Sequence, residues 1–192
     1  MQEKFDFNDI LIEPAEISTI DTRKIINPFQ SNGYLPLITA PMDTVIDKTN
    51  VNLFRALKIN ICAPRGENLG TGFTSFSLNE MEDKLMNKDL NPQGKYLIDI
   101  ANGHMYRLLR ITKLIKSEYK YITLMVGNVA NPKTYVSLSE AGADYVRIGI
   151  GNGGGCSTTV HTGIGYPMAS LISECYAASF GLKKPANIVA DG

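Results

Sequence analysis

Six short apolar runs recur along the chain, and each lies between segments of helical or turn character. Each run is rich in Ile, Val and Leu but too short for a helix, as expected of strands buried on both faces of a parallel sheet. The runs cover residues 35–39, 59–63, 96–100, 121–126, 145–150 and 187–190. This alternation predicts an α/β protein with right-handed crossovers.

Helices are predicted between the runs, over residues 48–58, 78–89, 104–119, 132–141 and 166–180. Ser77 and Glu80 have the spacing of a capping box at the start of the second helix. Asn131 and Pro132 are typical of the first positions of a helix, and Gly142 is typical of the residue after its end. These signals support an order in which strands and helices alternate.

The strand spacing of about 30 residues fits a (β/α)8 TIM barrel, and the pattern also fits an open doubly wound sheet. The residues that follow the runs favour the barrel, because every run ends in small, polar or charged residues. Asp43, Arg65, Asp99, Asn128 and Asp191 are examples. Barrel enzymes collect their site residues from the carboxyl ends of their strands, so we expect one site there.

Charge and hydropathy exclude several classes of protein. The 19 Lys and Arg residues balance 19 Asp and Glu residues, so no net field attracts nucleic acid or an anionic membrane. No apolar run approaches the roughly 18 residues of a membrane span, and the charged amino terminus is unlike a signal peptide. Three widely spaced cysteines fit a reducing compartment, so we expect a cytoplasmic protein.

The most unusual segment is the glycine-rich stretch 149–156, which ends in Cys156. Its spacing satisfies the G-x-G-x-x-G pattern, but a polar loop follows instead of a helix, which argues against a dinucleotide-binding turn. Two interpretations stay open. The stretch is either a flexible surface loop, or a loop rich in N–H groups that lowers the pKa of a nucleophilic thiol.

The other candidate residues have ordinary structural explanations beside the functional ones. Cys62 and Cys175 lie in apolar surroundings and are predicted to be core residues. His104 is expected to cap a helix or lie at the surface, whereas His161 lies close enough in sequence to Cys156 to be a conceivable base. The basic stripe on the helix over 104–119 is predicted to be a solvated face.

Several segments together resemble the IMP dehydrogenase/GMP reductase family of (β/α)8-barrel enzymes. Cys156 and the residues around it are similar to the catalytic loop of that family, and this is the most specific match. The matching segments are residues 5–15, 40–45, 126–129, 142–144, 147–158 and 190–192. The resemblance covers nearly the whole chain.

The resemblance implies a role for each matching position. Cys156 would attack C2 of a purine nucleotide, GMP or IMP, and Thr158 would assist proton transfer. The other roles fall into three groups. The nucleotide would be bound by Ala40, Met42, Asn128, Gly154, Gly155, Asp191 and Gly192. The nicotinamide cofactor would be bound by Asp99, Ala101, Asn102, Gly103 and Arg147. A potassium ion would be held by the backbone carbonyls of Gly151, Gly153 and Cys156.

The branch of the family is less directly indicated. Residues 99–103 and 163–167 are similar to GMP reductase, and no room exists for the CBS-type regulatory insert of typical IMP dehydrogenases. Arg147, in contrast, resembles the dehydrogenase branch, which usually has arginine at this position. We therefore expect a GMP reductase that uses NADPH, with an IMP dehydrogenase that uses NAD as the alternative. Gly154 departs from the family, which usually has a phosphate-binding Ser there.

The number of strands differs from that of a closed barrel. Six predicted strands are two fewer than the eight of a (β/α)8 barrel. Residues 1–192 are therefore expected to form one incomplete catalytic barrel domain. The resemblance also implies a homo-oligomer, such as a tetramer. A third possibility is an inactive fragment, or half of a split enzyme that needs a complementary carboxyl-terminal half.

Overall fold

The computed structural model describes residues 3–154 and 156–192. Six parallel strands form one sheet whose spatial order is the order along the chain. The strands are β1 Cys62–Ala63, β2 Phe73–Phe76, β3 Lys95–Asp99, β4 Thr123–Val129, β5 Tyr145–Ile148 and β6 Asn187–Ala190. Sequential parallel order is the topology of a (β/α) barrel wall, so the predicted α/β barrel fold is confirmed.

Helices connect most of the strands. They are α1 Val51–Ala56, α2 Leu78–Met86, α3 Tyr106–Glu118, α4 Pro132–Glu140, α5 Thr158–Thr162 and α6 Met168–Ser179, and two short 3-10 turns cover Phe7–Asp9 and Arg23–Ile25. The predicted capping box of Ser77 and Glu80 forms at the start of α2. Asn131 caps α4 through its side chain, which accepts the Lys133 N–H at 2.9 Å.

The predicted first strand, residues 35–39, is wrong in detail, because it forms only an isolated parallel bridge between Ile38 and Asn60. The Thr39 hydroxyl explains why the ladder stops there. It donates to the Cys62 carbonyl at 3.1 Å and accepts the Cys62 N–H at 2.8 Å, in place of further backbone pairing. The wall therefore has one bridged segment ahead of its six strands.

Strand β2 is absent from the sequence prediction, because Thr74 and Ser75 interrupt its apolar pattern. Ser75 is nevertheless fully buried, and its hydroxyl donates to the Ala63 carbonyl of β1 at 2.6 Å. A hydrogen-bonded hydroxyl is tolerated inside a protein, so a buried strand can carry it. Helix α5 is also unpredicted, since its sequence looks like a polar loop.

Two apolar layers enclose the sheet. On the concave side, Cys62, Phe73, Leu97 and Met125 form one buried cluster, with Ile38, Tyr145 and Val189 packed against it. On the convex side, residues such as Leu108, Tyr135 and Leu171 pack the helices against the sheet. Ile38 and Val189 come from opposite ends of the sheet and line one cavity, so the sheet curves as a barrel wall does.

The amino-terminal segment crosses to α6. Phe5 and Ser170 exchange hydrogen bonds, since the Phe5 N–H donates to the Ser170 hydroxyl at 2.8 Å and the Ser170 N–H donates to the Phe5 carbonyl at 3.1 Å. Asp6 accepts the Met168 N–H at 3.2 Å. Across the described parts of the chain, no helix has both the length and the apolar character needed to traverse a lipid bilayer.

Candidate functional site

Four predicted site residues meet at the carboxyl end of the sheet. Asp99 ends β3, Asn128 lies in β4, Arg147 lies in β5, and Asp191 follows β6 directly. All four are partly buried. Parallel strands end at the same edge of a sheet, so residues far apart in sequence become neighbours here.

Arg147 joins the two carboxylates. Its Nη1 donates to Asp99 Oδ1 at 2.9 Å, and its Nη2 lies 2.9 Å from Asp191 Oδ2. Only 12% of the Arg147 side chain is exposed, so solvent screens these two pairs less than pairs at the surface. The guanidinium fork therefore holds two acids from different strands in one fixed relation.

Asn128 completes the arrangement on the other side of Asp191. Its Nδ2 donates to Asp191 Oδ2 at 2.6 Å and to the Gly149 carbonyl at 2.8 Å. One oxygen of Asp191 thus has two partners, Asn128 and Arg147. The exposed third of the Asp191 side chain is the part available to an external ligand.

Cys156 lies exposed in the loop after β5, beside a hydroxyl. Its Sγ is hydrogen-bonded to Thr158 Oγ1 at 3.3 Å, and its N–H donates to the Gly153 carbonyl at 2.8 Å. Hydrogen bonds with Thr158, and then with the Gly151 backbone, lower the pKa of the Cys156 thiol, while desolvation and the charge of Asp191 oppose the shift. The net lowering makes the thiolate, the nucleophilic form, more populated than in an ordinary cysteine.

The other two thiols are in opposite environments. Burial raises the pKa of Cys62 to about 11, although a hydrogen bond with Ser75 opposes the effect. Burial, with a smaller contribution from the charge of Glu174, raises the pKa of Cys175 to about 12. Both residues are buried, as predicted, and Cys156 is the exposed thiol among the three.

The end of β6 packs directly on the cysteine loop. A Cβ on Gly192 would lie 2.6 Å from the Asn152 carbonyl carbon and 2.7 Å from the Gly153 nitrogen, with Gly192 at φ +114°. Only glycine fits so close an approach in that backbone conformation. The contact brings Asp191 and the thiol loop to the same side of the sheet edge.

The other residues predicted to bind the nucleotide differ in their exposure and surroundings. Ala40 lines a cavity of about 60 Å³ together with Arg147 and Asp191, whereas Met42 is half exposed. Gly154 is exposed, and no atom lies within 4 Å of the position its Cβ would take. Gly155 lies outside the described residues.

On the cofactor side, Ala101 lines a second cavity with Asp99 and Arg147, and Gly103 is buried against β4. Asn102 is exposed and accepts the His104 N–H at 3.1 Å.

Arg65 belongs to this site although no role is predicted for it from sequence. It follows β1, its Nε lies 3.8 Å from Asp99 Oδ2, and it lines a cavity of about 430 Å³ with Asp99 and Arg147. The available signal was its position directly after an apolar run. Within the described residues, the His161 N–H donates to the Ser157 carbonyl at 3.0 Å, and no hydrogen bond joins the His161 ring to the thiol.

The basic stripe on α3 lies largely at the surface, as predicted, because Arg107, Arg110 and Lys113 are exposed, although the stripe also makes ion pairs. Arg107 and Arg110 both bind Glu82 of α2, and Lys116 binds Asp144 at 2.7 Å. These pairs attach α3 to its neighbours, and three of the four basic residues of the stripe are engaged in this way.

Fold and site together define a (β/α)-barrel protein with an exposed cysteine loop at the carboxyl ends of its strands. The family model of the "IMP dehydrogenase / GMP reductase domain" matches residues 85–192. The chain belongs to the IMP dehydrogenase/GMP reductase family.

Individual relatives agree with this assignment. Human GMP reductase 2 is 31% identical over 220 residues, which cover 98% of this chain and 61% of the reductase. Human GMP reductase 1 is 28% identical over 214 residues with the same coverage. The inosine 5′-monophosphate dehydrogenase of Legionella pneumophila has a TM-score of 0.78 at 25% identity, covering 99% of this chain and 62% of that one. The chain thus spans about three fifths of the length of these relatives.

Proposed function

We propose that the chain acts on a purine mononucleotide as a GMP reductase, converting GMP to IMP and ammonia. The observation that carries the proposal is the exposed Cys156 thiol, whose pKa is lowered by Thr158 and whose loop packs against the strand end bearing Asp191. A nucleophile therefore lies next to a carboxylate that can accept ribose hydroxyls.

The thiol chemistry follows from these two side chains. The Cys156 thiolate adds to C2 of the purine and forms an S–C2 bond. The C2–N2 bond then breaks, and the amino group leaves as ammonia after it gains a proton. Thr158, within hydrogen-bond reach of Sγ, assists this transfer. When hydride reaches C2, the S–C2 bond breaks and the thiolate is restored.

The nucleotide would be oriented by Asp191 and Asn128. Asp191 would accept the two ribose hydroxyls with its free oxygen, while Asn128 and Arg147 hold its other oxygen in place. Met42 would pack on the base. Gly154 offers no side chain to the phosphate, and the open space at its Cβ position supports weaker phosphate binding than a Ser would give.

The residues around Asp99 fit a nicotinamide nucleotide. They combine an accessible arginine, Arg65, with a carboxylate and an open cavity of about 430 Å³. NADPH would supply the hydride that C2 receives. Asp99, Ala101, Asn102 and Gly103 would bind it, and Arg147 would hold Asp99 in position.

A potassium ion would suit the cysteine loop by its donor chemistry, because backbone carbonyls are neutral oxygen ligands. Gly151, Gly153 and Cys156 would supply these carbonyls. The Gly153 carbonyl already accepts the Cys156 N–H at 2.8 Å, which occupies one of its two lone pairs.

IMP dehydrogenase is the second candidate, and Arg147 favours it. Arginine at this position is the choice expected of the dehydrogenase, and here its fork binds both Asp99 and Asp191, which a lysine could not do in the same geometry. In that reaction hydride would leave C2 for NAD, and water would then cleave the S–C2 bond to give XMP.

The assembly is also part of the proposal. The chain spans about three fifths of the length of its relatives, and β6 forms one outer edge of the described sheet. A homo-oligomer, such as a tetramer, or a complementary carboxyl-terminal half would cover that edge. We place the protein in the cytoplasm, where its three free thiols would stay reduced.

Absorbance of the reduced cofactor tests these proposals. GMP with NADPH should lose absorbance, whereas IMP with NAD should gain it if the chain is a dehydrogenase. Cys156→Ala should abolish either signal, and Cys175→Ala is the matched control that should retain most of it. Calorimetric binding of GMP and light scattering, run on the same sample, distinguish a chain that binds without turnover from one that does not bind. No binding and no turnover with either pair would contradict the proposed function.

A further inference from the structure

His104 connects the loops that follow β3 and β4. Its Nε2 accepts the Ala130 N–H at 3.0 Å, and its Nδ1 lies 2.9 Å from Thr134 Oγ1. A backbone N–H can only donate, so Nε2 must be unprotonated and the ring proton must be on Nδ1, where Thr134 accepts it. The two contacts together determine one tautomer of the neutral ring.

Gly103, the residue before His104, also contacts the end of β4. The Gly103 N–H donates to the Asn128 carbonyl at 2.8 Å, and a Cβ on Gly103 would lie 2.6 Å from Val129 Cγ1. Gly103 and His104 therefore hold the backbone on both sides of Val129. The side chain that emerges from this segment is Asn128, which reaches Asp191 and the Gly149 carbonyl.

We propose that His104 is a positioning residue: its neutral, Nδ1-protonated ring holds the turn between β4 and α4. By holding this turn, His104 sets the position of the Asn128 side chain and, through it, that of Asp191. The consequence for nucleotide binding rests on the proposed function. His104 acts through the backbone of that turn, since its ring contacts the Ala130 N–H and the Thr134 hydroxyl.

Protonation should release the turn. An imidazolium has no acceptor nitrogen, so it cannot keep the Ala130 bond. Partial burial of the ring lowers the pKa of His104, which keeps the ring neutral near pH 7. Lys133 and Tyr106 are the titratable side chains that share its cavity. The hydrogen bond from the Ala130 N–H to His104 should therefore be present at neutral pH and be lost as the pH falls below about 6.5.

The tautomer provides a test that needs no ligand. The chain has only two histidines, so a long-range ¹H–¹⁵N spectrum of ¹⁵N-histidine-labelled protein contains two ring systems, and His104→Gln assigns them. At pH 7.5 the His104 ring should carry its proton on Nδ1, the opposite of the form that predominates in free histidine. A ring protonated on Nε2 would overturn the proposal.

Variants test the positioning role. His104→Phe removes both contacts and should weaken GMP binding about two- to tenfold at pH 7.5. His104→Gln offers an amide oxygen to the Ala130 N–H and should recover most of the affinity. Thr134→Val, which leaves the Ala130 contact in place, should have the smaller effect. The Asn128 side-chain amide signals should move in His104→Phe and return in His104→Gln.

The pH profile completes the test. The GMP phosphate itself titrates near pH 6, so the informative quantity is the difference between wild type and His104→Gln between pH 7.5 and 5.5. Wild type should lose more affinity than the variant. Equal profiles, or an unchanged Kd in His104→Phe, would refute the positioning role. If wild type does not bind GMP, the proposed function fails, while the tautomer and the Asn128 signals still decide this inference. If His104→Phe does not fold, the positioning role is tested by the pH profile of His104→Gln and by the GMP affinity of Thr134→Val.

Discussion

Alkylation with iodoacetamide should distinguish the three thiols of the folded chain. Cys156 is exposed and its pKa is lowered below the ordinary value of 9.0 by hydrogen bonds from Thr158. Burial raises the pKa of Cys62 to about 11 and that of Cys175 to about 12. Since the thiolate is the reacting form, the labelling rates should follow the ionised fractions.

The expected difference can be worked out for pH 7.5. A cysteine of pKa 9.0 is about 3% ionised there, and Cys156 exceeds that fraction. Cys62 lies at least two pH units higher and Cys175 at least three. Cys156 should therefore have a thiolate fraction more than about 100-fold that of Cys62 and more than about 1000-fold that of Cys175, and burial slows the latter two further.

Peptide mass spectrometry after timed quenching measures the three rates. The rate at Cys156 should rise with pH and reach half of its maximum below pH 9.0. Thr158→Val removes the largest cause of the lowered pKa, so labelling should slow at pH 7.5 and recover at higher pH. Thr162→Val is the matched control, because it removes a hydroxyl from the same helix that bonds the Thr158 carbonyl instead of the thiol.

Two results would contradict this reasoning. Labelling of Cys62 or Cys175 within tenfold of the Cys156 rate, in protein shown by circular dichroism to be folded, would mean that burial does not suppress these thiols. An identical pH profile in Thr158→Val would mean that the 3.3 Å contact does not stabilise the thiolate.

Three further predictions concern the nucleotide and the glycine loop. Asp191→Ala should raise the Kd for GMP at least about tenfold, with little remaining preference over 2′-deoxy-GMP, measured by calorimetry. Gly154→Ser should tighten GMP binding, because the space there is open; unchanged affinity would remove the phosphate role from this position. Gly151→Ala should destabilise the fold by about 1–3 kcal/mol in denaturant unfolding, since φ is +82° and a Cβ would collide with Thr159. The matched Gly154→Ala should stay within about 0.5 kcal/mol.

The sequence predicts the strand–helix order and the polar strand ends well, because both depend on local pattern. The strand at 187–190 has the predicted bounds, and the capping box of Ser77 and Glu80 forms. Strand β2 escapes prediction for a physical reason. Ser75 looks exposed in sequence, but its hydroxyl is satisfied by a carbonyl of the neighbouring strand, which no local pattern reveals.

The interior of the site could be predicted only in part. Asp99, Asn128 and Asp191 lie at or just after the ends of apolar runs, so their common location was predictable, whereas Arg147 lies inside the run 145–150. Their pairing was not, because it depends on strand register: Arg147 lies opposite Val189, which places its side chain within reach of Asp191. The same limit applies to His104, whose partners lie 26 and 30 residues along the chain.

The bonds between the amino-terminal segment and α6 have a consequence for the order of folding. α6 has no side-chain cap of its own, and Asp6, 162 residues away, accepts the Met168 N–H instead. Closing so long a loop is unfavourable until the wall between its ends has formed. During synthesis at roughly 5–20 residues per second, the segment waits on the order of 10–30 s for its partner helix to be made. The first turn of α6 is therefore among the last parts of the described fold to be stabilised.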